Sequence, residues 1–142
     1  MSTFDKLKFW WDDVGAVVGK IEKWRPRKCT TEKDYERSLY DYLHRELPDI
    51  QITKQYAKGR IRAELVVADR VVIELKHNLD STAKYHRLIG QLTEYREWEG
   101  RVVLLLTGKT EPNLRKQLNE YLEREGLTGD DGDRAKVTIY ER

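Results

Sequence analysis

The chain has 142 residues, 39% hydrophobic and 37% charged, and its 27 basic side chains nearly cancel its 25 acidic ones to leave a formal charge of +2. That length suits a single domain over residues 1–142, and the near-neutral balance excludes a uniformly basic nucleic-acid binder, so any basic surface must come from local segregation of charge. The lone Cys29 excludes an intramolecular disulfide and a multi-cysteine metal site; with no long apolar run, it predicts a soluble cytoplasmic protein with no membrane partner.

In chain order, Phe4, Leu7, Trp10, Trp11, Val14, Val17, Val18, Ile21 and Trp24 recur at helical spacing. They predict an aromatic helical extension over residues 1–27, with a possible break near Gly15 and Gly19. Trp24-Arg25-Pro26 ends it, because the residue before proline resists the helical region. Thr31, or alternatively Thr30, is the N-cap of a second helix that closes at Leu47-Pro48. The period then drops to two. Residues 50–56, 61–67 and 71–76 read as three antiparallel strands, with turns at Lys58-Gly59 and around Asp69. A helix follows from Asp80 or Ser81 to Trp98. Arg101 to Thr107 has the continuous apolar character of a strand covered on both faces. A helix beginning around Thr110-Glu-Pro-Asn and reaching Arg124, a Gly/Asp loop and a strand over residues 135–140 complete the chain. The fold class expected is α/β: a mixed central sheet, made of a three-strand meander and a crossover helix to further strands, flanked by helices. Residues 31–107 form its core and 108–142 add a helix and a strand.

Strand alternation puts Glu74 and Lys76 on one face of an apolar strand, with Val71, Ile73 and Leu75 on the other. A hairpin symmetric about Asp69 would set Glu64 opposite Glu74 and Arg62 opposite Lys76. Two carboxylates opposite one another repel, and a hard divalent cation between them reverses the sign. Glu36 falls in the middle of the stripe formed by Leu39, Tyr40, Leu43 and Leu47, so it faces the sheet and needs a partner there: a metal-bound water, a site lysine or an arginine. Gln91 and Lys84 border the apolar stripe of Leu88, Leu92 and Tyr95, which lets Gln91 orient a water or a ligand of the site.

Glu36, Glu64, the Glu74-Leu75-Lys76 triplet and Gln91-Leu92-Thr93-Glu94-Tyr95 occur in that order, with Tyr85 ahead of the last element. Together they resemble the PD-(D/E)XK nuclease superfamily, in particular its RecB-like branch with a Q-x-x-x-Y element. The resemblance implies a restriction-endonuclease-like core and a magnesium- or manganese-dependent deoxyribonuclease. Glu64 and Glu74 would bind metal, Lys76 would position the attacking water and stabilise charge at phosphorus, and Glu36 and Gln91 would support them. One position departs from the pattern: the family prefers aspartate where this chain has Glu64, which leaves full, manganese-favoured, weak or absent activity open.

Lys58, Arg60, Arg62 and Lys54 on the first hairpin, together with Lys84 and Tyr95, are candidate contacts to DNA. The bland alternatives are a solvated charged hairpin and a core tyrosine. His77 and His86 read as phosphate-contacting or solvated side chains. Asp130, Asp131 and Asp133 lack calcium-loop spacing and read as a solvated turn. A homodimer through the N-terminal helix would supply two-strand cutting. The rivals are a nucleic-acid-binding or assembly module with this fold and lost catalysis, and a partner-binding subunit using the aromatic helix.

Overall fold

The computed structural model describes residues 14–128 and 136–142. Within them, the first helix (α1, residues 14–23) runs through Gly15 and Gly19 without a break. A Cβ at either glycine would meet nothing, so both lie on the open side and leave the helix undisturbed. Phe4, Leu7, Trp10 and Trp11 lie outside the described residues, as do Asp130, Asp131, Asp133 and Ala135. The apolar side of α1, with Val17, Ile21 and the following Trp24 fully buried, packs onto the chain's own sheet. The Arg142 guanidinium donates to the carbonyls of Trp24 (2.8 Å) and Glu22, satisfying acceptors that a helix end leaves open.

Thr31 caps α2 (Glu32–Glu46): its hydroxyl accepts from the Asp34 amide while the Asp34 carboxylate accepts from the Thr31 amide, a reciprocal capping box. Then come β1 (Ile52–Lys58), β2 (Ile61–Val67), β3 (Val71–His77), α3 (Thr82–Glu94), β4 (Arg101–Thr107), α4 (Pro112–Arg124) and β5 (Val137–Glu141). β1 starts two residues later than alternation suggests, because the Ile50 amide is used in a turn onto the Leu47 carbonyl. Gly59, at φ 62°, supplies the positive dihedral of a two-residue hairpin loop. α3 stops four residues short of Trp98. Tyr95–Glu97 tighten into a 3-10 turn, and Trp98 becomes extended so that its indole donates to the Arg70 carbonyl at 3.0 Å.

The five strands lie in sequence order in one mixed sheet: β1, β2 and β3 are antiparallel, whereas β3, β4 and β5 are parallel. α1 and α2 cover one face, through Leu39 and Leu43 against Leu65, Ile73 and Leu75. α3 and α4 cover the other, through Leu88, Leu92 and Leu118 against Val72, Val102 and Leu104. β4 is thereby covered on both sides, which is what its unbroken Val/Leu run requires.

Two departures from a regular sheet position the site. The β2–β3 ladder pairs Val67 with Val71, Val66 with Val72 and Leu65 with Ile73, and then stops although both strands continue. Its register is the one symmetric about Asp69, so Glu64 and Glu74 are the first residues beyond the last pair. Arg62 is not paired with Lys76 as the symmetric hairpin suggests; its guanidinium folds onto the carbonyls of Gly59 and Ile61. The second departure is in β1. Its register with β2 is continuous on either side of Gln55 and Glu64 but omits that pair, and Gln55 sits at φ 52°. Ala63 belongs to the α3-side core and Leu65 to the α2-side core, although residues two apart on a strand normally share a face. Strand β2 thus rolls through the sheet at Glu64.

Candidate functional site

Where β2 and β3 part, Glu74 is almost completely buried, at 1% exposure. A buried carboxylate needs partners, and it has two. The Lys76 ammonium lies 3.2 Å from Glu74 Oε1, and the Tyr95 hydroxyl lies 2.8 Å from Glu74 Oε2. Tyr95 Oη is also 2.8 Å from the Arg62 carbonyl, an acceptor at the place where the β2–β3 ladder has ended. One hydroxyl, in the 3-10 turn that follows α3, therefore lies within hydrogen-bond reach of both strands. Burial pushes the Tyr95 hydroxyl far above its usual range, helped by the Glu74 charge, so it acts as a donor. At 1% exposure Tyr95 has no surface to offer DNA, which corrects its assignment as a nucleic-acid contact.

Glu64 is half-buried beside these groups. Glu36, reaching across from α2, comes close enough to share a proton with it. Burial pushes the Glu64 carboxyl up to about 8, reinforced by the hydrogen bond to Glu36 and by the charges of Glu36, Glu74 and Glu32. When both carboxyls are ionised nothing donates to Glu64 Oε2, which is buried without a hydrogen-bond partner. Gln91 Oε1, on the α3 side, is likewise buried and unpartnered. Glu64, Glu74 and Gln91 line one cavity of about 360 Å³, together with Gln55 and Arg62. On the α2 side, Glu36, Lys33, Arg37 and Lys54 line a second cavity of about 510 Å³ that Gln55 and Glu64 also border. The rolled strand leaves Glu64 accessible from both faces.

Lys76, His77, Lys84 and Arg87 gather at the end of β3, next to the start of α3. Lys58, Arg60 and Arg62 are exposed around the β1–β2 turn, and Lys54 lies 3.7 Å over the Tyr40 ring. Sequence reasoning overlooks Gln55 and Arg87. An ordinary strand residue gives no sign of its dihedral, but Arg87 stands one turn after Lys84 on the same helix face, a spacing that was open to reading.

The donor set fits a hard divalent cation. Two carboxylates, Glu64 and Glu74, line the cavity, and Glu64 Oε2 and Gln91 Oε1 are buried there without a partner; magnesium is usually held by one or two carboxylates plus water and substrate phosphates. Among the described residues no three His, Cys, Asp or Glu side chains converge on one such point, so the pair Glu64 and Glu74, rather than a closed protein cage, is what the chain offers.

No protein-family model matches the sequence, and no curated protein does. A solved structure to which the chain is weakly similar is that of Pyrococcus furiosus SfsA in complex with Ca2+. The TM-score is 0.46 and the identity 16%, over 77% of this chain and 54% of that one. This chain spans about half the length of the SfsA chain. No helix among the described residues is long and apolar enough to cross a membrane.

Proposed function

We propose that this chain is a divalent-metal-dependent nuclease of the PD-(D/E)XK type, acting on phosphodiester bonds in DNA. The observation that carries the reading is Glu64 beside Glu74 and Lys76 where the β2–β3 ladder opens, with Glu36 against Glu64 from the α2 side. Glu64 and Glu74 would hold magnesium or manganese. When bound, such a cation supplies the charge that acidifies a water and neutralises the phosphate oxygens. Lys76 is held in place by Glu74 and keeps two ammonium hydrogens free for a phosphate oxygen. Tyr95 fixes the Glu74 carboxylate, and Gln91 Oε1 faces the cavity as an acceptor for a water hydrogen. Lys58, Arg60, Arg62 and Lys84 would contact the DNA backbone.

A second reading, a nucleic-acid-binding module with weak catalysis, is favoured by one observation. With its carboxyl pushed to about 8, Glu64 is largely protonated at neutral pH and is then a poor metal ligand.

The test is incubation with single- and double-stranded DNA and RNA in magnesium, manganese or EDTA, beside Lys76→Ala. The nuclease reading expects metal-dependent cleavage of DNA that falls at least roughly 100-fold in the variant, the scale of losing one preorganised charge donor. Binding without cleavage in every metal supports the second reading. Absence of binding to any nucleic acid sinks both.

A further inference from the structure

The cleft at the C-terminal end of β3 has a composition that the hydrolytic site alone does not explain. It encloses about 320 Å³ and is lined by Lys76, His77, Asn78, Leu79, Lys84, Arg87 and one carboxylate, Glu32. Of its three cations, Lys76 is paired with Glu74 and Lys84 with Asp80, which leaves Arg87 as the cation without an ion-pair partner among the described residues.

Its donors are held in place by the surrounding backbone. Lys84 donates to the Asn78 carbonyl at 3.0 Å and to Asp80 Oδ1 at 2.9 Å, which leaves one ammonium hydrogen unused. The His77 ring is fixed by Nδ1 against the fully buried Thr107 hydroxyl at 3.0 Å and packs beside the Tyr35 ring, so Nε2 is the nitrogen left over. Asn78 adopts φ 55° and accepts from the Lys109 amide. A side chain at Gly108 would strike Asn78 Oδ1 and the His77 ring. Arg87 lies one turn beyond Lys84 and makes no ion pair among the described residues, so its guanidinium fork is uncommitted. Lys76 is the wall shared with the hydrolytic site. Arg87 and Gln91 are four residues apart on α3, roughly 6 Å along the axis, on the scale of one nucleotide step.

We propose that this cleft binds a phosphate monoester at the end of a nucleic-acid strand, so that the substrate class is strands with a phosphorylated end. A monoester presents three terminal oxygens, against two on an internal diester, and so can take one donor each from Arg87, Lys84 and His77. The carrier of the phosphate rests on the nuclease reading; the phosphate site itself does not.

The experiment is done in EDTA, where hydrolysis plays no part. Oligonucleotides with a 5′-phosphate, a 3′-phosphate or only hydroxyl ends are titrated by fluorescence anisotropy at fixed salt. Beside them, a nucleoside monophosphate and inorganic phosphate are titrated by NMR. The expected result is about tenfold tighter binding of one phosphorylated end than of the hydroxyl-ended strand. That ratio should collapse to one in Arg87→Ala, and His77 and Lys84 signals should shift with the monophosphate. A wild-type ratio of one, or a ratio that survives Arg87→Ala, overturns the proposal; a wild-type ratio of one with uniform weakening in Arg87→Ala would mean that the cleft holds an internal phosphodiester. Monophosphate shifts at His77 and Lys84 with no affinity for any oligonucleotide would uphold the phosphate site and sink the nuclease reading.

Discussion

Gln55 and Glu64 face one another at the step where the β1–β2 ladder is unpaired, and Gln55 is in the left-handed region there, at φ 52°. A non-glycine residue in that region costs about 1–2 kcal/mol, and such strain persists where the surrounding structure holds it. Gln55→Gly removes the cost, partly offset by the larger entropy of the unfolded chain. The variant should be more stable by roughly 0.5–1 kcal/mol in urea unfolding. Gln55→Val, whose branched side chain tolerates this region least, should be destabilised. A stable valine variant would mean that the roll of β2 at Glu64 does not depend on the Gln55 backbone.

Tyr95→Phe tests how Glu74 is held. The change removes one hydroxyl and leaves the ring in the α3-side core. Glu74 Oε2 and the Arg62 carbonyl both lose their nearby donor. Leaving a buried acceptor unsatisfied costs about 1–3 kcal/mol. Denaturant unfolding in EDTA should show that loss, and on the nuclease proposal metal-dependent cleavage should fall through kcat more than KM, because the hydroxyl would orient a metal ligand and touch no substrate. An unchanged kcat would remove Tyr95 from the positioning of Glu74.

The Glu64 carboxyl titrates near 8, against 4.5 for an unperturbed glutamate. A carboxyl whose pKa rises on folding holds its proton more tightly in the folded than in the unfolded chain. Between those two values stability therefore falls as pH rises. In EDTA the melting temperature should drop from pH 5 to pH 8, and the drop should shrink in Glu64→Gln, which cannot ionise. Manganese at pH 8 should restore stability to the wild type, by about 2.7 kcal/mol at a hundred times its dissociation constant, and not to Glu64→Gln. An equal effect on both proteins would place the cation elsewhere.

The element order and the β2–β3 register were legible in the sequence because period-two runs and the turn around Asp69 leave one symmetric pairing that keeps Ile73 and Leu65 on a common apolar face. Glu36 was legible for a related reason, as an acid inside an apolar helix stripe. The two faces of β2 were not. Alternation assigns Ala63 and Leu65 to one side, and the fold separates them because the dihedral at Gln55 breaks the ladder, an event with no glycine to announce it. Tyr95 occupied the right stripe, but its attachment to Glu74 depends on the 3-10 turn that ends α3, and no proline or glycine marks that turn. Arg87 was not singled out at all; only the Asn78 loop that gathers Lys84 and His77 gives it company.

Glu64→Asp tests the proposed nuclease site at the position where the chain departs from the PD-(D/E)XK pattern it resembles. Shortening the side chain by one methylene draws the carboxylate back toward β2 and away from Glu36. It thereby weakens the shared proton, which is the second cause of the raised pKa after burial. The aspartate should ionise at lower pH and be available to magnesium at neutrality. A displacement of about 1 Å at a reacting centre is worth on the order of 100-fold in rate, so the substitution should change magnesium-dependent kcat/KM by roughly 10- to 100-fold at pH 7. The direction expected is upward, with the acidic limb of the pH–rate profile moved to lower pH and the advantage of manganese over magnesium reduced. Profiles for both proteins in both metals decide it. A fall in rate with an unmoved acidic limb would mean that the site is built around the longer side chain, with Glu36 as its intended partner.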